Sequence, residues 1–217
     1  MVLLLAEQLE VPFRERNQML LAAGHAPIFP ERSLDDPEMA PVREALDVIL
    51  SGHEPNPAVV VDRHWNLVAA NSAMMWLAEG VDPELLKPPA NVMRIGLHPR
   101  GLAARIVNLG ETRAYFLGRL ERQVAISQDE DLAKLLDEVA GYPGPAYEHD
   151  PAGEVAAGHI LTPQLRMRNP NGGELSFFFT VATFGTALEV TTSELSVELS
   201  FPADAATAEA LRKLPRR

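Results

Sequence analysis

Apolar side chains recur at helical spacing at the start of the chain. The stretch "LAEQLEVPFRERNQMLLAAGHAPIF" predicts two short helices, with Pro12 opening the second and Gly24 ending it. Proline and acidic residues then predict a linker over residues 31–37. Beyond it, apolar positions three and four apart predict a helix over residues 39–50 that a Ser-Gly pair stops.

The next elements are predicted from strand patterns and helix caps. Two β-branched or apolar runs, Ala58–Val61 and Leu67–Ala70, flank a polar turn, and Asn71 is placed to cap the helix that follows. Asn91 is placed to cap a short helix ending at about residue 98. Asn108, with a glutamate three residues later, has capping-box spacing and predicts a helix to about residue 126. A further helix is predicted over residues 131–140.

The last third of the chain alternates apolar and polar residues. Strands are predicted over residues 161–167 and in "ELSFFFTVATF" and "SELSVELSF", and the loop "NPNGG" joins the first two as a hairpin. Alternation of this length is typical of an antiparallel sheet with one polar face. A closing helix is predicted over residues 204–214. Together these elements predict an α+β fold, an antiparallel sheet flanked by helices.

The phenylalanines give one strand aromatic side chains on both faces. Phe177 and Phe179 point to one side, whereas Phe178 and Phe184 point to the other. One face is expected to pack against helices. The other face either completes an ordinary two-sided core or lines a cavity.

Charge and composition exclude several classes of function. The 217 residues carry a formal net charge of −11 and no cysteine, so the chain is unsuited to DNA binding and has no disulfide or thiolate chemistry. The opening apolar run is too short and lacks the flanking charge of a secretory signal, and no stretch approaches a membrane span. We expect a soluble, cytoplasmic protein.

Motifs of catalysis and metal binding are missing. The six histidines are scattered without metal-ligand spacing, and no GxSxG, phosphate-binding or dinucleotide-binding motif occurs. We therefore expect no catalytic residue, no metal and no resident cofactor, and we do not expect an enzyme.

Three cationic side chains are candidates for binding an acid. Arg94 and His98 lie four residues apart on one face of a predicted helix, and Arg113 shares its helical face with Phe116. A buried arginine needs an anion, either from the protein or from a ligand carboxylate. Alternatively, each arginine lies at the surface with its aliphatic part against apolar neighbours.

At this point the sequence resembles a known family. The N-terminal stretch resembles the last two helices of an XRE-type helix-turn-helix domain. The segments "PAVVVDRHWNLVAAN", "NVMRIGLHPRGLAARIVN", "FFFTVATFGTALEVTTSEL" and "ELSFPAD" resemble the MmyB-like transcription regulator ligand-binding domain. Positions matching its motifs, without an assigned ligand contact, are Trp65, Asn71, Arg94, His98, Pro99, Asn108, Phe184, Gly185, Thr186 and Pro202.

The resemblance implies an organisation and a ligand class. It implies a helix-turn-helix remnant over residues 1–30, the linker 31–37 and a PAS-like ligand-binding domain over residues 38–217, with small apolar, fatty-acid-like molecules as ligands. Family members place about five helices before this domain, and only the final pair is found here. Either the start codon lies upstream, or the protein was trimmed, or it has lost DNA binding.

Two hypotheses follow. In the first, the chain senses an apolar effector for a helix-turn-helix regulator and forms a homodimer through residues 39–50, with DNA contacted only through the missing N-terminal helices. Trp76, Phe116, Phe178 and Phe184 are predicted to form the pocket wall, and Arg113 or Arg94 to hold a carboxylate with His98 nearby. In the second, it senses nothing and acts as a dimerisation or interaction protein on a full-length relative.

Overall fold

The computed structural model describes residues 1–145, 164–169 and 172–214. The helices in these ranges are α1 (Val2–Gln8), α2 (Phe13–Ala22), α3 (Ala40–Gly52), α4 (Ser72–Leu77), α5 (Val92–Leu97), α6 (Leu109–Ser127), α7 (Glu130–Ala140), α8 (Val190–Ser193) and α9 (Ala205–Arg212). The strands are β1 (Ala58–Val61), β2 (Leu67–Ala70), β3 (Leu165–Arg168), β4 (Glu174–Thr183) and β5 (Ser196–Pro202). None of the described helices is long and apolar enough to span a bilayer.

The strands form one antiparallel sheet in the order β2-β1-β5-β4-β3. The last strand therefore lies in the middle, between the first strand and the long β4. This PAS-like α+β arrangement confirms the predicted fold class. Residues 161–163 of the first predicted strand in the last third, and positions 170–171 of its hairpin loop, lie outside the described residues.

Helices cover the two faces of the sheet unequally. On the outer face, Leu46 and Leu50 of α3 pack on the buried side chains of β1 and β5. On the inner face, α5, α6 and α7 contribute a larger apolar cluster whose buried members include Leu117, Leu120 and Val139. Alternation along each strand sends neighbouring residues to opposite layers, so both layers draw on the same strands.

The polar face of β5 is not a solvent face, contrary to the simplest interpretation of its alternation. Ser196, Glu198 and Ser200 point inward, toward α6, and Ser200 is buried. The Glu198 side chain is mostly buried and forms an ion pair with Arg119 of α6. A short-range pattern cannot predict this, because the counter-charge comes from a helix 79 residues away.

Asparagine caps place two of the helices as predicted. The buried Asn71 side chain accepts hydrogen bonds from the N–H groups of Met74 (3.1 Å) and Ala58 (3.0 Å) and donates to the carbonyl of Asn56 (2.7 Å). Asn91 similarly accepts from the first N–H groups of α5.

The capping box predicted at Asn108 is wrong. The helix begins there, but the side chain makes no cap hydrogen bond. Instead it donates to Glu111 and to the carbonyl of Gln164, and it accepts from the N–H of Arg166. The amide of Asn108 therefore bonds to the backbone at the start of β3 and is not available to cap α6.

Polar contacts fasten the N-terminal helix pair to the rest of the molecule. Arg14 of α2 donates to both carboxylate oxygens of Glu194, at 2.7 and 2.9 Å. Following α2, the carbonyls of Pro30 and Arg32 accept hydrogen bonds from Val190 and Thr191 of α8. The sequence did not predict α8, a single turn whose function in the fold is this attachment.

We predict that Asn71→Ala destabilises the protein by about 2–4 kcal/mol, because it removes a helix cap and leaves buried backbone groups of neighbouring segments unpaired. Urea denaturation measures the change. Asp204→Ala is the control and should cost about 1 kcal/mol, because it removes the N-cap of α9, whose carboxylate accepts from Thr207 and Ala206 within the same helix. Equal costs for the two variants would contradict the central position of Asn71.

Candidate ligand-binding cleft

A cleft lies on the inner side of the molecule between α2, α6 and the turn that joins β1 to β2. It has two adjoining lobes, of about 350 and 620 Å³. We call it the Trp65 cleft; both lobes are lined by Pro12, Glu15, Trp65, Arg119, Gln123 and Ser127. These volumes fall in the range of small-molecule sites.

The backbone of Trp65 is held in a left-handed conformation. Its φ is +67°, which is rare for a bulky residue and costs roughly 1–3 kcal/mol. Asp62 fixes the turn, since its carboxylate accepts from the N–H groups of His64 and Asn66 at 2.8 and 2.9 Å. This turn directs the indole into the inner layer, where it is 6% exposed.

Polar contacts hold the indole in place. Its Nε1–H donates to Gln123 Oε1 at 2.8 Å, and Gln123 Nε2 donates to the carbonyl of Arg63 at 2.7 Å. The amide of Gln123 therefore joins α6 to both sides of the turn. The consequence is a rigid aromatic wall with its polar atom already bonded.

Arg119 connects the two layers across the smaller lobe. It donates to both carboxylate oxygens of Glu198, at 2.9 and 3.2 Å, and its guanidinium lies 4.6 Å from the centre of the Trp65 ring. It also lies 5.8 Å from the ring of Tyr115, whose pKa is raised by burial. The cation is thus placed between a carboxylate and an aromatic face.

A series of alternating charges borders the cleft on the side of α2. Glu194 accepts from Arg14, and the guanidinium of Arg63 lies 3.7 Å from the same carboxylate. Arg63 also pairs with Asp129, the N-cap of α7, which His64 contacts at 3.1 Å. The hydrogen bonds to Glu194 and Glu31 raise the pKa of Arg14.

Glu15 differs from the paired carboxylates of this wall, because one of its oxygens makes no hydrogen bond within the described residues. Its Oε2 is enclosed by the protein and has no hydrogen-bond partner in the described part of the chain. Glu15 follows Arg14 on α2 and borders both lobes.

The structure brings the three predicted cationic residues together, at the C-terminal end of α7. Arg94 pairs with Glu138 at 2.7–3.0 Å, His98 packs edge-on against Tyr142 at 4.9 Å, and Arg113 donates to the carbonyl of Ala140. The hydroxyl of Tyr142 also donates to Glu138. Glu138 raises the pKa of Arg94, and burial together with Glu138 raises the pKa of Tyr142 to about 12.

Arg113 has no carboxylate partner among the described residues. It is 4% exposed, its Nε is unpaired, and burial lowers its pKa. A carbonyl at a helix C-terminus compensates a cation only in part. Arg94, His98 and Arg113 are outside the lining of the Trp65 cleft, and their contact with a ligand stays a prediction.

The four predicted wall aromatics are not brought together. Phe116 lies on the inner face, 6.3 Å from Phe179, and Trp76 packs there against a separate cluster around Phe177. Phe178 stacks on Phe201 on the outer face, where Phe184 also packs, beneath α3. The sheet itself separates the two pairs.

Sequence reasoning missed Arg119, Gln123 and Glu15 as cleft residues. One signal was present: Arg119 and Gln123 are three and seven residues after Phe116 and so continue its helical face. No comparable signal existed for Glu15, because it reaches the cleft only when α2 docks. Among the described residues, no group of three or more His, Asp or Glu side chains could hold a metal ion.

We predict that Asp129 makes stability depend on acid pH. Burial by itself raises its pKa, but hydrogen bonds from His64, the N–H groups of α7 and Arg63 outweigh burial and lower it from 3.8 to about 2. The ionised form therefore stabilises the fold fully above about pH 4, and this contribution is lost as the pH falls toward 2. The shift corresponds to about 2 kcal/mol.

Urea denaturation of Asp129→Asn between pH 3 and pH 6 tests this dependence. The stability difference from the natural protein should be largest at pH 6 and should narrow below pH 4. Asp131→Asn, which removes an exposed carboxylate from the same helical turn, is the control and should have a much smaller effect. A difference for Asp129→Asn that is constant over this range would rule out the ionic contribution.

Comparisons with known proteins place the chain in a family. No curated protein sequence matches it. Among solved structures it is similar to one titled "Structure of an RNA-binding Light-Oxygen-Voltage Receptor", with 15% identity, a TM-score of 0.30 and coverage of 93% of this chain. The match spans 48%, about half, of that receptor chain, and so distant a likeness carries no argument about function. The model of the MmyB-like transcription regulator ligand binding domain matches residues 42–214, and the chain therefore belongs to this family.

Proposed function

We propose that this chain is the effector-sensing domain of a helix-turn-helix regulator and that a small apolar, fatty-acid-like molecule binds in the Trp65 cleft. Membership of a family of regulatory ligand-binding domains supports the general function. The position of the cleft supports the proposed binding site. One wall of the cleft belongs to the PAS-like fold and the other to α2.

The lining of the cleft suits an amphipathic ligand. Pro12 and Ile126 provide exposed apolar surface in the larger lobe, beside the small exposed part of the Trp65 indole, and Ile126 is 85% exposed. An acyl chain laid across these groups would remove their apolar surface from water, at roughly 25 cal/mol per Å². Arg119 and Arg122 supply positive charge beside them for an acid end.

A ligand in the cleft would regulate the docking of α2, because α2 and the PAS-like fold each form one wall of the cleft. If α1 and α2 are the end of a DNA-binding module, a ligand between α2 and α6 changes the free energy of docking that module. An effector shifts such an equilibrium only by its difference in affinity for the two states. The acidic chain itself is a poor DNA ligand, so we assign DNA contact to a DNA-binding module of the regulator and not to the domain that holds the cleft.

A second function, an interaction protein that does not sense a ligand, is favoured by the exposed apolar side chains of the helix pair. Leu4, Leu5, Leu9 and Leu21 are between 54% and 71% exposed. Such a surface suits a partner chain. The predicted homodimer through residues 39–50 stays a prediction; α3 turns Leu46 and Leu50 onto the sheet and leaves Val48 exposed.

Ligand extraction distinguishes the two functions. Purified protein is extracted with organic solvent and analysed by mass spectrometry, and thermal unfolding is followed with saturated fatty acids of 8 to 16 carbons. A bound ligand at 100 times its Kd adds about 2.7 kcal/mol of stability. Neither a co-purified lipid nor a stabilisation at any chain length would favour the interaction protein.

We also predict that Trp65 fluorescence reports the binding. The protein has two tryptophans, and Trp76 lies outside the cleft lining, so Trp76→Phe leaves only the cleft indole. Dodecanoate should change the emission of this variant, because it replaces water at the exposed part of the ring.

The matched control is Trp65→Phe, which keeps only Trp76. Its emission should not respond to dodecanoate at concentrations that saturate the first variant. A response of Trp76 alone would move the binding site away from the Trp65 cleft.

A further inference from the structure

The carboxylate of Glu194 is shared by two arginines that come from different parts of the molecule. Arg14 of α2 donates to its two oxygens at 2.7 and 2.9 Å, and a guanidinium nitrogen of Arg63, in the turn before Trp65, lies 3.7 Å from one of them. Glu194 also lines the smaller lobe of the Trp65 cleft. It is therefore the point at which α2, the turn at Trp65 and the cleft meet.

The same short segment of the chain receives the linker that follows α2. The N–H of Val190 donates to the carbonyl of Pro30 at 2.8 Å, and the hydroxyl of Thr191 donates to the carbonyl of Arg32 at 2.6 Å. Glu194 follows directly and leads into β5, the central strand of the sheet. The hydrogen bonds that fasten the N-terminal helices thus converge on five residues next to that strand.

Contacts within the N-terminal segment hold Arg14 in position for this pairing. Its other guanidinium edge donates to both oxygens of Glu31, at 2.5 and 2.9 Å. Phe13 stacks on Phe29 at 4.3 Å, and the Asn17 amide bonds to the backbone N–H and carbonyl of Phe29. The segment from α2 to Glu31 is therefore tied to itself, and a separate contact with Glu194 joins it to the PAS-like fold.

The docking of α2 is sensitive to the loss of that contact. Ala6 and Leu20 are the buried residues of α1 and α2, so apolar burial contributes little. The Arg14 and Glu194 side chains are 24% and 20% exposed, and ion pairs near the surface weaken as salt screens them. A ten-residue helix is marginal by itself in water, so undocking of α2 also opens its hydrogen bonds to exchange.

We propose that Glu194 is an ionic latch, a positioning residue whose shared carboxylate sets the fraction of molecules in which α2 is docked as a wall of the Trp65 cleft. This rests on the proposed function and adds its regulation. An effector that binds more tightly when α2 is docked stabilises the docked state by the same factor. The latch and the effector therefore favour one state, and each strengthens the other.

Amide hydrogen exchange of residues 13–22 tests the latch, with the amides of β5 as the internal reference. In 0.05 M NaCl, Glu194→Gln should exchange about tenfold faster than the natural protein in α2, because a hydrogen-bonded ion pair is lost. Raising NaCl to 0.5 M should accelerate α2 several-fold in the natural protein and little in Glu194→Gln. Glu174→Gln, which breaks the exposed pair with Arg166, is the matched control and should behave like the natural protein.

Arg14→Gln removes the other partner of the latch. It should accelerate exchange in α2 to a similar extent, and the double variant with Glu194→Gln should be no faster than either single variant, because both changes remove one interaction. Thermal unfolding verifies that each variant is folded. An α2 that exchanges equally in Glu194→Gln and the natural protein would overturn the latch. An acceleration of the same size in β5 would overturn it too.

Dodecanoate tests the link between the latch and the cleft. At saturation it should slow exchange of residues 13–22 in the natural protein and restore part of the lost protection in Glu194→Gln, because it favours the docked state. Binding of dodecanoate with no slowing in α2 would overturn the regulation proposed here. Failure of dodecanoate to bind would contradict the proposed function instead, whereas exchange in the unliganded variants still decides whether Glu194 holds α2.

Discussion

The ion pair between Arg119 and Glu198 determines how the inner face of this sheet packs against the helices. A glutamate in the central strand, pointing into the helical layer, has to be paired, because an unpaired buried charge would destabilise the fold by several kcal/mol. Arg119 supplies that partner from α6 and lies against Trp65 at the same time. The pair fills the space that apolar side chains would otherwise close, and the Trp65 cleft opens beside it.

The turn at Trp65 is the complementary constraint. Its left-handed backbone is unfavourable for a bulky residue and is held by the Asp62 carboxylate and by Gln123. In return, the chain places an aromatic ring next to a cation and in the wall of a cleft. Strained residues held by their surroundings are characteristic of functional sites, and this one lies where the helical layer, the sheet edge and the N-terminal helices meet.

The attachment of the N-terminal helices is polar, and this sets how firmly they are held. Within α1 and α2 the buried residues are Ala6 and Leu20, so little apolar area is buried on docking. Hydrogen bonds and ion pairs to α8 and Glu194 take its place. Such contacts contribute modest free energies in partly exposed positions, so a ligand in the cleft can alter the docking equilibrium. A large apolar interface would resist that change.

Local patterns in the sequence determined most of the secondary structure and the chemistry of its caps. Asn71 and Asn91 could be identified because a cap depends on residues only two or three positions away, and the alternation in β5 predicted a strand for the same reason. Partners distant in sequence could not be derived. Arg94 meets Glu138 across 44 residues and Arg119 meets Glu198 across 79, so a sequence-based search for an unpaired arginine had no means of ranking them. Apart from α8, the sequence by itself therefore determined the elements of the described residues and their order. Only the tertiary structure decided which charges are paired, that Glu198 points into the protein, and that Glu15 of α2 lines a cleft, because these depend on how distant elements pack.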